Sequence, residues 1–377
     1  MRFLHTGDLH LDSAFCASGA LDAERKRDAQ RAIFGKIFDL AREKACCMVL
    51  ISGDLFDSRY VTPETEKYVR EVIDRSGIPV VVSPGNHDPY VAGSFYSRAD
   101  LPENLYVFNA PQMQRFDFPE LCVSVYGYAF TSPSLTYSPL VGENGEGGQA
   151  IKLLCAHADL GATMSRYCPL TVGDITGLSV NYAALGHIHN RTCDDSAENT
   201  VIRYCGFPQG RSFDELGDGG VFIVDYNEDG SVSVDRVCVS EQRYEALELD
   251  IGDSTDSSDI QEKIRRRAEE YKGSKATHLR VTLVGTVDRD EMPDLETLAA
   301  RLVGDKLLSV EIKDMTLPLA DIESLKADKT LRGEFYRALY SRLISDDAKV
   351  RECASLALRI GLAAIEGRKI SGDVDSL

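Results

Sequence analysis

The sequence contains no apolar run long enough to cross a membrane as a helix, and Met1-Arg2-Phe3-Leu4-His5 leads straight into a polar motif instead of a signal-peptide pattern. A cytoplasmic protein is expected. CxxC pairs are also missing: Cys16, Cys46, Cys47, Cys122, Cys155, Cys168, Cys193, Cys205, Cys238 and Cys353 follow no regular spacing. That argues against a thiolate zinc site and for reduced, mostly buried thiols. Net positive charge is lacking, the formal value being -18, which opposes nonspecific adhesion to phosphate backbones. A nucleic-acid substrate would then draw its missing positive charge from divalent ions or a basic partner. No Walker A pattern occurs, so any nucleotide-driven motion has to come from another chain. Internal repeats and long low-complexity stretches are absent as well.

What is present is enough apolar material, 43% of 377 residues, for a sizeable core plus one or two smaller modules. Short apolar runs recur at Arg2 to Thr6, Met48 to Ser52, Val80 to Ser83, Val123 to Phe130, Lys152 to Cys155 and Ala183 to Leu185, all but Val123 to Phe130 with Gly or His within the next two residues. These read as buried strands. Between the earlier ones, Arg27 to Lys44 and Pro63 to Ser76 have helical spacing, the second with proline in its first turn. Alternating strand and helix predict a layered α/β domain. Val201 to Cys205 is followed by two runs, Gly220 to Tyr226 and Ser231 to Val239, joined by Asn227-Glu228-Asp229-Gly230, which predicts a hairpin closing the sheet.

The catalytic domain is expected to span 1–240. An α+β cap over 241–320 is read from strands at Tyr244 to Ile251, Thr277 to Gly285 and Leu307 to Lys313, with helices at Ile260 to Tyr271 and Leu295 to Leu302. The segment 321–377 is read as helical, with one stripe of Leu331, Phe335, Leu339 and Leu343 and another of Val350, Ala354, Ala357, Gly361, Leu362 and Ile365.

Histidine is scarce, seven in all, yet five sit beside strand ends in Asp8-Leu9-His10, Gly85-Asn86-His87-Asp88, Ala156-His157-Ala158 and Gly186-His187-Ile188-His189. With Gly53-Asp54, every candidate ligand falls outside the carboxyl end of a strand, where α/β sheets build their sites. Asp-x-His and His-x-His spacing lets one turn aim two side chains at one ion, and Gly53, Gly85 and Gly186 let the backbone approach without a Cβ in the way. Imidazole, carboxylate and amide oxygen without thiolate suit manganese, iron or zinc in an open catalytic site, manganese first. Two such ions can bracket a phosphorus centre.

The order DxH, GD, GNHD, H, GHxH resembles the calcineurin-like metallophosphoesterase superfamily over roughly the first half of the chain. His5-Thr6-Gly7-Asp8-Leu9-His10-Leu11-Asp12-Ser13, Gly53-Asp54-Leu55-Phe56-Asp57 and Gly206-Phe207-Pro208-Gln209-Gly210-Arg211-Ser212-Phe213 resemble its SbcD and YhaO branch of DNA-repair exonucleases. The resemblance implies a four-layer sandwich of two mixed sheets flanked by helices, with two divalent metal ions. It implies that Asp8, His10 and His189 hold the first ion, that Asn86, His157 and His187 hold the second, and that Asp54 bridges them. His87 then matches the residue near the scissile phosphate that binds no metal, with Asp88 orienting its ring, and Arg211 is a candidate phosphate contact. Some relatives carry histidine where this chain has Asp57.

The bland readings differ by position. Asp8-x-His10 alone is more often a strand-end cap, but five motifs in order reverse that judgement. His5 and His278 are expected to be satisfied core histidines, and Asp12 either braces His10 or caps the next segment. The Leu331 stripe either packs on its own domain or docks the coiled-coil base of an SbcC-like SMC-type ATPase, and Lys263, Arg265, Arg266 and Arg267 read as a solvated helix face. The expected function is metal-dependent phosphodiester hydrolysis in DNA repair, as a DNA exonuclease or endonuclease subunit working with an SbcC-like ATPase, with a homodimer as a candidate assembly. The alternatives are a phosphatase or cyclic-nucleotide phosphodiesterase on small substrates, and a scaffold for the ATPase.

Overall fold

Strand β1 (Arg2–Thr6) is buried from Phe3 onwards, as befits a strand inside a covered parallel sheet. Helix α1 (Ala20–Glu43) leads from it to β2 (Val49–Ile51), and α2 (Pro63–Ser76) leads on to β3 (Val80–Val82) and β4 (Leu105–Val107). All four strands run parallel in that order. The ends of α2 show why it starts and stops there. Thr62 accepts from the Thr65 N–H at the N-cap, Pro63 occupies the first turn, and Gly77 takes the left-handed C-cap conformation at φ 63°. The computed structural model describes residues 1–15, 20–57, 61–162, 164–190, 195–197, 199–273, 275–288, 291–318 and 322–365. Cys16, Cys193 and the last twelve residues of the expected helical segment lie outside the described residues.

A second sheet begins with β5 (Gln114–Phe118) antiparallel to β6 (Val123–Gly127), followed by β7 (Ile151–His157). The short pair β8 (Asp159–Leu160) and β9 (Pro169–Leu170) and the helix α3 (Val172–Gly177) precede β10 (Tyr182–Gly186) and β11 (Val201–Tyr204). Its order is β11-β10-β7-β6-β5, parallel except at β5. The chain then returns to the first sheet: β12 (Gly220–Tyr226) pairs antiparallel with β1, and the hairpin partner β13 (Val232–Cys238) closes it as β13-β12-β1-β2-β3-β4. The tip glycine, Gly230, has φ 84°, the conformation a hairpin tip asks of it.

Three apolar clusters make this a four-layer sandwich. Ile33, Phe34, Ile37 and Val69 of the first two helices pack on one face of the first sheet. Phe3, Leu50, Val81 and Phe222 of that sheet meet Val125, Leu153, Tyr182 and Ala184 of the second. Leu154, Ala183 and Ile202 then pack against Ile175 of α3. Each fully buried side chain of this size contributes about 1.5–3 kcal/mol.

Contact clustering divides the chain into two compact units, Met1–Arg243 and Tyr244–Leu377. Strand β14 (Gln242–Asp250) runs into the second, which adds α4 (Ser257–Glu269), β15 (Ala276–Val284), β16 (Thr286–Val287), α5 (Leu295–Leu302), β17 (Leu307–Asp314) and β18 (Leu317–Pro318). Its main sheet, β14-β15-β17, carries Leu279, Val281 and Leu283 against Ile260, Ile264 and Leu298 of its helices. The unit ends in α6 (Ile322–Ala327), α7 (Leu331–Leu343) and α8 (Ala348–Ile365). Tyr336 and Leu339 of α7 pack against Leu358 and Leu362 of α8, while Leu331 is 70% exposed. Among the described residues, no helix is long and apolar enough to cross a membrane.

Candidate metal centre

The sandwich brings the carboxyl ends of β1, β2 and β3 in one sheet to those of β7 and β10 in the other, and the polar residues follow at those five ends. Backbone bonds continue the parallel pairing beyond the strands: Asp8 N donates to Gly53 O at 3.0 Å and His10 N to Asp54 O at 2.9 Å. The turns are tight enough to force positive φ on residues that disfavour it, 50° at Asp8, 46° at His10, 47° at Asp54 and 106° at His187. Such strain, about 1–3 kcal/mol each, persists only where the surroundings over-determine it. A Cβ on Gly85 would stand 2.2 Å from Asp54 Oδ1, and one on Gly53 2.3 Å from His157 Nδ1, so both glycines admit ligands where a side chain would stand.

The candidate ligands converge. Donor atoms of Asp8, His10 and His189 lie within 4.8 Å of one another, as do those of Asp8, Asp54 and His157 and those of His10, Asp54 and His87. Asp54 Oδ2 stands between two imidazoles, 3.5 Å from His10 Nε2 and 3.4 Å from His157 Nε2. Asn86 Oδ1 is 2.9 Å from His157 Nε2. The His187 ring lies 5.1 Å from that of His157, and its backbone N–H donates to Asp8 at 2.9 Å. Every ligand expected from the sequence is thus at one rim.

Neighbouring acceptors orient the imidazoles. Ser52 O, 3.0 Å from His157 Nδ1, places the ring proton there and leaves Nε2 as a lone pair facing Asp54. Glu215 Oε1 does the same for His189 at 2.7 Å, turning Nε2 towards His10 Nε2 at 3.3 Å and Asp8 Oδ1 at 3.7 Å. Gln30 donates to the carbonyls of Leu9 and His10 and holds that turn. Asp12 ties the turn to Arg31 at 2.8 Å and to the Thr62 N–H at 2.8 Å, the start of α2.

The electrostatics separate the histidines into two kinds. Burial, then the field of Arg211, pushes His10 well below its ordinary value, and burial and His157 bring His187 down to about 3. Both rings are neutral, the form that ligates. His87 is shifted the other way, upwards, first by its bond to Asp57 and despite burial. Its Nδ1 is 3.8 Å from Asp57 Oδ1 and its side chain is 45% exposed at the mouth of the cage. Burial is the largest influence on both His189 and Glu215 and opposes their charge, but the Glu215 bond together with the field of Asp8 raises His189, and the His189 bond together with Arg211 lowers Glu215 to about 2.

Asp88, expected to orient His87, has both oxygens engaged elsewhere. Oδ1 accepts from Gly85 N at 2.9 Å, and Oδ2 from Phe56 N at 3.1 Å and Tyr96 Oη at 2.6 Å. Burial, with Asp54 nearby, pushes it up to about 7, and it braces the Gly85 loop from behind. Arg211 lies beside the cage, its guanidinium on Glu215 and its Nη2 3.3 Å from His189 Nδ1. His5 is buried with Nδ1 2.8 Å from Tyr182 Oη, and His278 is buried with Nδ1 2.7 Å from Ser309 Oγ.

The sequence reading missed Glu215, Gln30, Tyr96 and Tyr167, whose ring is 36% exposed and lies 4.8 Å from that of His187. Only Glu215 had a nearby signal, since it follows Arg211 by four residues in the glycine-bounded loop.

The cage fits cations. Nε2 of His10 and of His157 faces the Asp54 carboxylate at 3.5 and 3.4 Å, and Nε2 of His189 faces that of Asp8 at 3.7 Å. Nitrogen and oxygen donors that repel one another when empty are a divalent-metal site in kind.

A fold of this type with that cage defines a metallophosphoesterase, and the chain belongs to the calcineurin-like phosphoesterase family, whose sequence model matches residues 1–191. Among its relatives is the uncharacterised metallophosphoesterase YhaO of Bacillus subtilis, 28% identical over 263 residues, which are 67% of this chain and 63% of that protein. The aligned stretch thus spans less than two thirds of YhaO. The SbcD component of the SbcCD nuclease from Staphylococcus epidermidis is 23% identical over 92% of this chain and 95% of its own length. A dimetal phosphatase from Danio rerio superposes with a TM-score of 0.42 at 13% identity, covering 63% of this chain and 96% of that one.

Proposed function

We propose that the chain hydrolyses phosphodiester bonds in DNA as the nuclease partner of an SMC-type ATPase. The observation that carries the hydrolytic part is the cage itself, with the neutral His10 and His187 imidazoles inside and His87, of raised pKa, at its mouth. In this reading Asp8, His10 and His189 would hold one ion, Asn86, His157 and His187 the other, and the Asp54 carboxylate would serve both. Two divalent ions, manganese by preference, supply when bound positive charge opposite the phosphoryl oxygens and an activated water as nucleophile. His87 donates its ring proton to the leaving oxygen, and Asp57 holds the ring in the charged form before transfer. Asp88 keeps the His87 loop in place. Arg211 turns towards a phosphate oxygen without leaving Glu215. Tyr167 offers a partly exposed ring beside His187 on which a base stacks, which favours nucleotide over simple phosphate substrates.

The likeness to an SbcCD nuclease component along nearly the whole chain supports the DNA and partner readings. The parts are then a catalytic domain at 1–240, a cap at 241–320 and a helical segment at 321–377, with Leu331, Tyr340 and Ile344 as its exposed apolar residues for the ATPase. All eight described cysteines are free, in keeping with a reducing cytoplasm. Manganese-dependent cleavage of single- and double-stranded ends, with and without the ATPase, tests this. Turnover of nucleotide monoesters or cyclic nucleotides without DNA cleavage would favour the small-substrate reading, to which a net charge of -18 is the better suited.

A further inference from the structure

Between the two sheets, where the neighbours are Phe3, Leu50, Phe222 and Ala184, five polar side chains form an unbroken line. Tyr182 Oη is 2.8 Å from His5 Nδ1, His5 Nε2 is 3.1 Å from Ser52 Oγ, Ser52 Oγ is 3.6 Å from Cys205 Sγ, and Cys205 Sγ is 3.4 Å from Asp8 Oδ2. Tyr182, His5, Ser52, Cys205 and Asp8 are all at most 1% exposed. Each member comes from a different strand or strand end: β10, β1, β2 and the residue after β11, meeting at the turn after β1. Burying that many polar groups costs free energy unless every one is paired, so the line is held as a unit.

Ser52 Oγ has one proton and three acceptors in reach: Thr6 O at 3.2 Å, the Cys205 sulfur, and His5 Nε2 in the tautomer that leaves that nitrogen unprotonated. Either His5 tautomer completes the line, with the Tyr182 hydroxyl taking the complementary role at Nδ1. Cys205 has a single S–H with two acceptors, Gly206 O at 3.2 Å and the Asp8 carboxylate, and charge favours the carboxylate. Oδ2 thus takes the thiol together with the His187 N–H at 2.9 Å, an N–H that also reaches Oδ1 at 3.2 Å. Oδ1 in addition faces His189 Nε2 at 3.7 Å and His157 Nδ1 at 3.9 Å.

The geometry points to Cys205 as a positioning residue for the metal centre: its thiol, backed by Ser52, His5 and Tyr182, fixes the rotation of the Asp8 carboxylate so that one oxygen is presented to the ion. The inference deepens the proposed function and rests on Asp8 being a metal ligand. The cage then depends on a residue that touches neither ion nor substrate, and whose own contacts run away from the cage into the core.

Manganese affinity of the full chain, read by calorimetric titration and by the electron paramagnetic resonance of bound manganese, tests it alongside urea unfolding of the metal-free protein. Asp8→Asn controls the underlying reading: unchanged manganese binding there would overturn the metal assignment itself. With that control lost as expected, Cys205→Ala should bind about 10-fold more weakly, the usual scale for an outer-shell partner, and broaden the manganese signal. Cys205→Ser, which keeps a donor, should regain most of the affinity. Ser52→Ala and Tyr182→Phe should lower affinity less, in that order with distance from Asp8. Affinity and signal unchanged in Cys205→Ala, or equal loss in the serine and alanine variants, would overturn the positioning role. Should the alanine variant unfold, the serine and Tyr182→Phe variants carry the same decision through rescue and ranking.

Discussion

Glu215→Gln probes the brace behind the cage. The carboxylate is 3% exposed and accepts from His189 Nδ1, from Arg211 Nε and Nη2 and from the Arg211 N–H. Burial opposes its charge, yet His189 and Arg211 outweigh burial and bring its pKa from 4.5 to about 2. At about 1.4 kcal/mol per unit, the ionised form contributes about 3 kcal/mol to folding of the metal-free chain. Because the folded value is the lower one, this stability is present above pH 4.5 and fades as pH falls towards 2. Glutamine keeps the shape but removes the charge and turns an amide NH2 towards donors. At neutral pH the metal-free variant should unfold at a urea midpoint lower by about 1 M, and the gap should narrow below pH 4.5 as the parent loses the same interaction. Since His189 also loses its orienting acceptor, manganese affinity should fall about 10- to 100-fold. A midpoint and an affinity both equal to the parent's at neutral pH would refute the brace.

Asp54→Asn should abolish binding of both ions at once, since one oxygen serves His10 and His157 alike; metal analysis showing one ion retained at full affinity would contradict the bridge. His87→Ala should keep the metal content while cleavage falls about 100-fold or more, and equal loss of metal would instead make His87 a ligand, as its proximity to His10 and Asp54 allows. Gly85→Ala should weaken manganese binding by displacing Asp54, whose Oδ1 would lie 2.2 Å from the added methyl; a parent-like titration would show the loop yielding instead. Tyr167→Ala should raise KM on single-stranded DNA by roughly 5- to 100-fold, the worth of one stacked base, with kcat little changed, and a pure kcat loss would speak against stacking.

The parts of this architecture that follow a single local rule were legible in the sequence. Apolar runs at Arg2 to Thr6 and Val80 to Ser83, and the capped helix Pro63–Ser76, declare themselves within a few residues. The ligands were legible because histidine is scarce and clusters behind such runs. Two strands of the two main sheets were not. Leu105–Val107 is three residues long, and Gln114–Phe118 is a sheet-edge strand whose Gln, Arg and Asp mask its alternation. Leu331 shares the expected stripe with Phe335 and Leu339 but is 70% exposed, whereas Tyr336, one residue from Phe335, is buried, the α7 and α8 contact faces being set by Phe335 fitting over Gly361. Most of what supports the ligands could not be read. Glu215 lies 26 residues beyond His189 and Ser52 lies 105 residues before His157, so only the folded chain joins them.

Crystals grown with manganese and measured across its absorption edge address the cage directly. Two anomalous peaks are expected, one within reach of Asp8, His10 and His189 and one within reach of Asn86, His157 and His187, with Asp54 between them. An empty rim with those imidazoles in unchanged orientations, or metal bound elsewhere on the chain, would contradict the account.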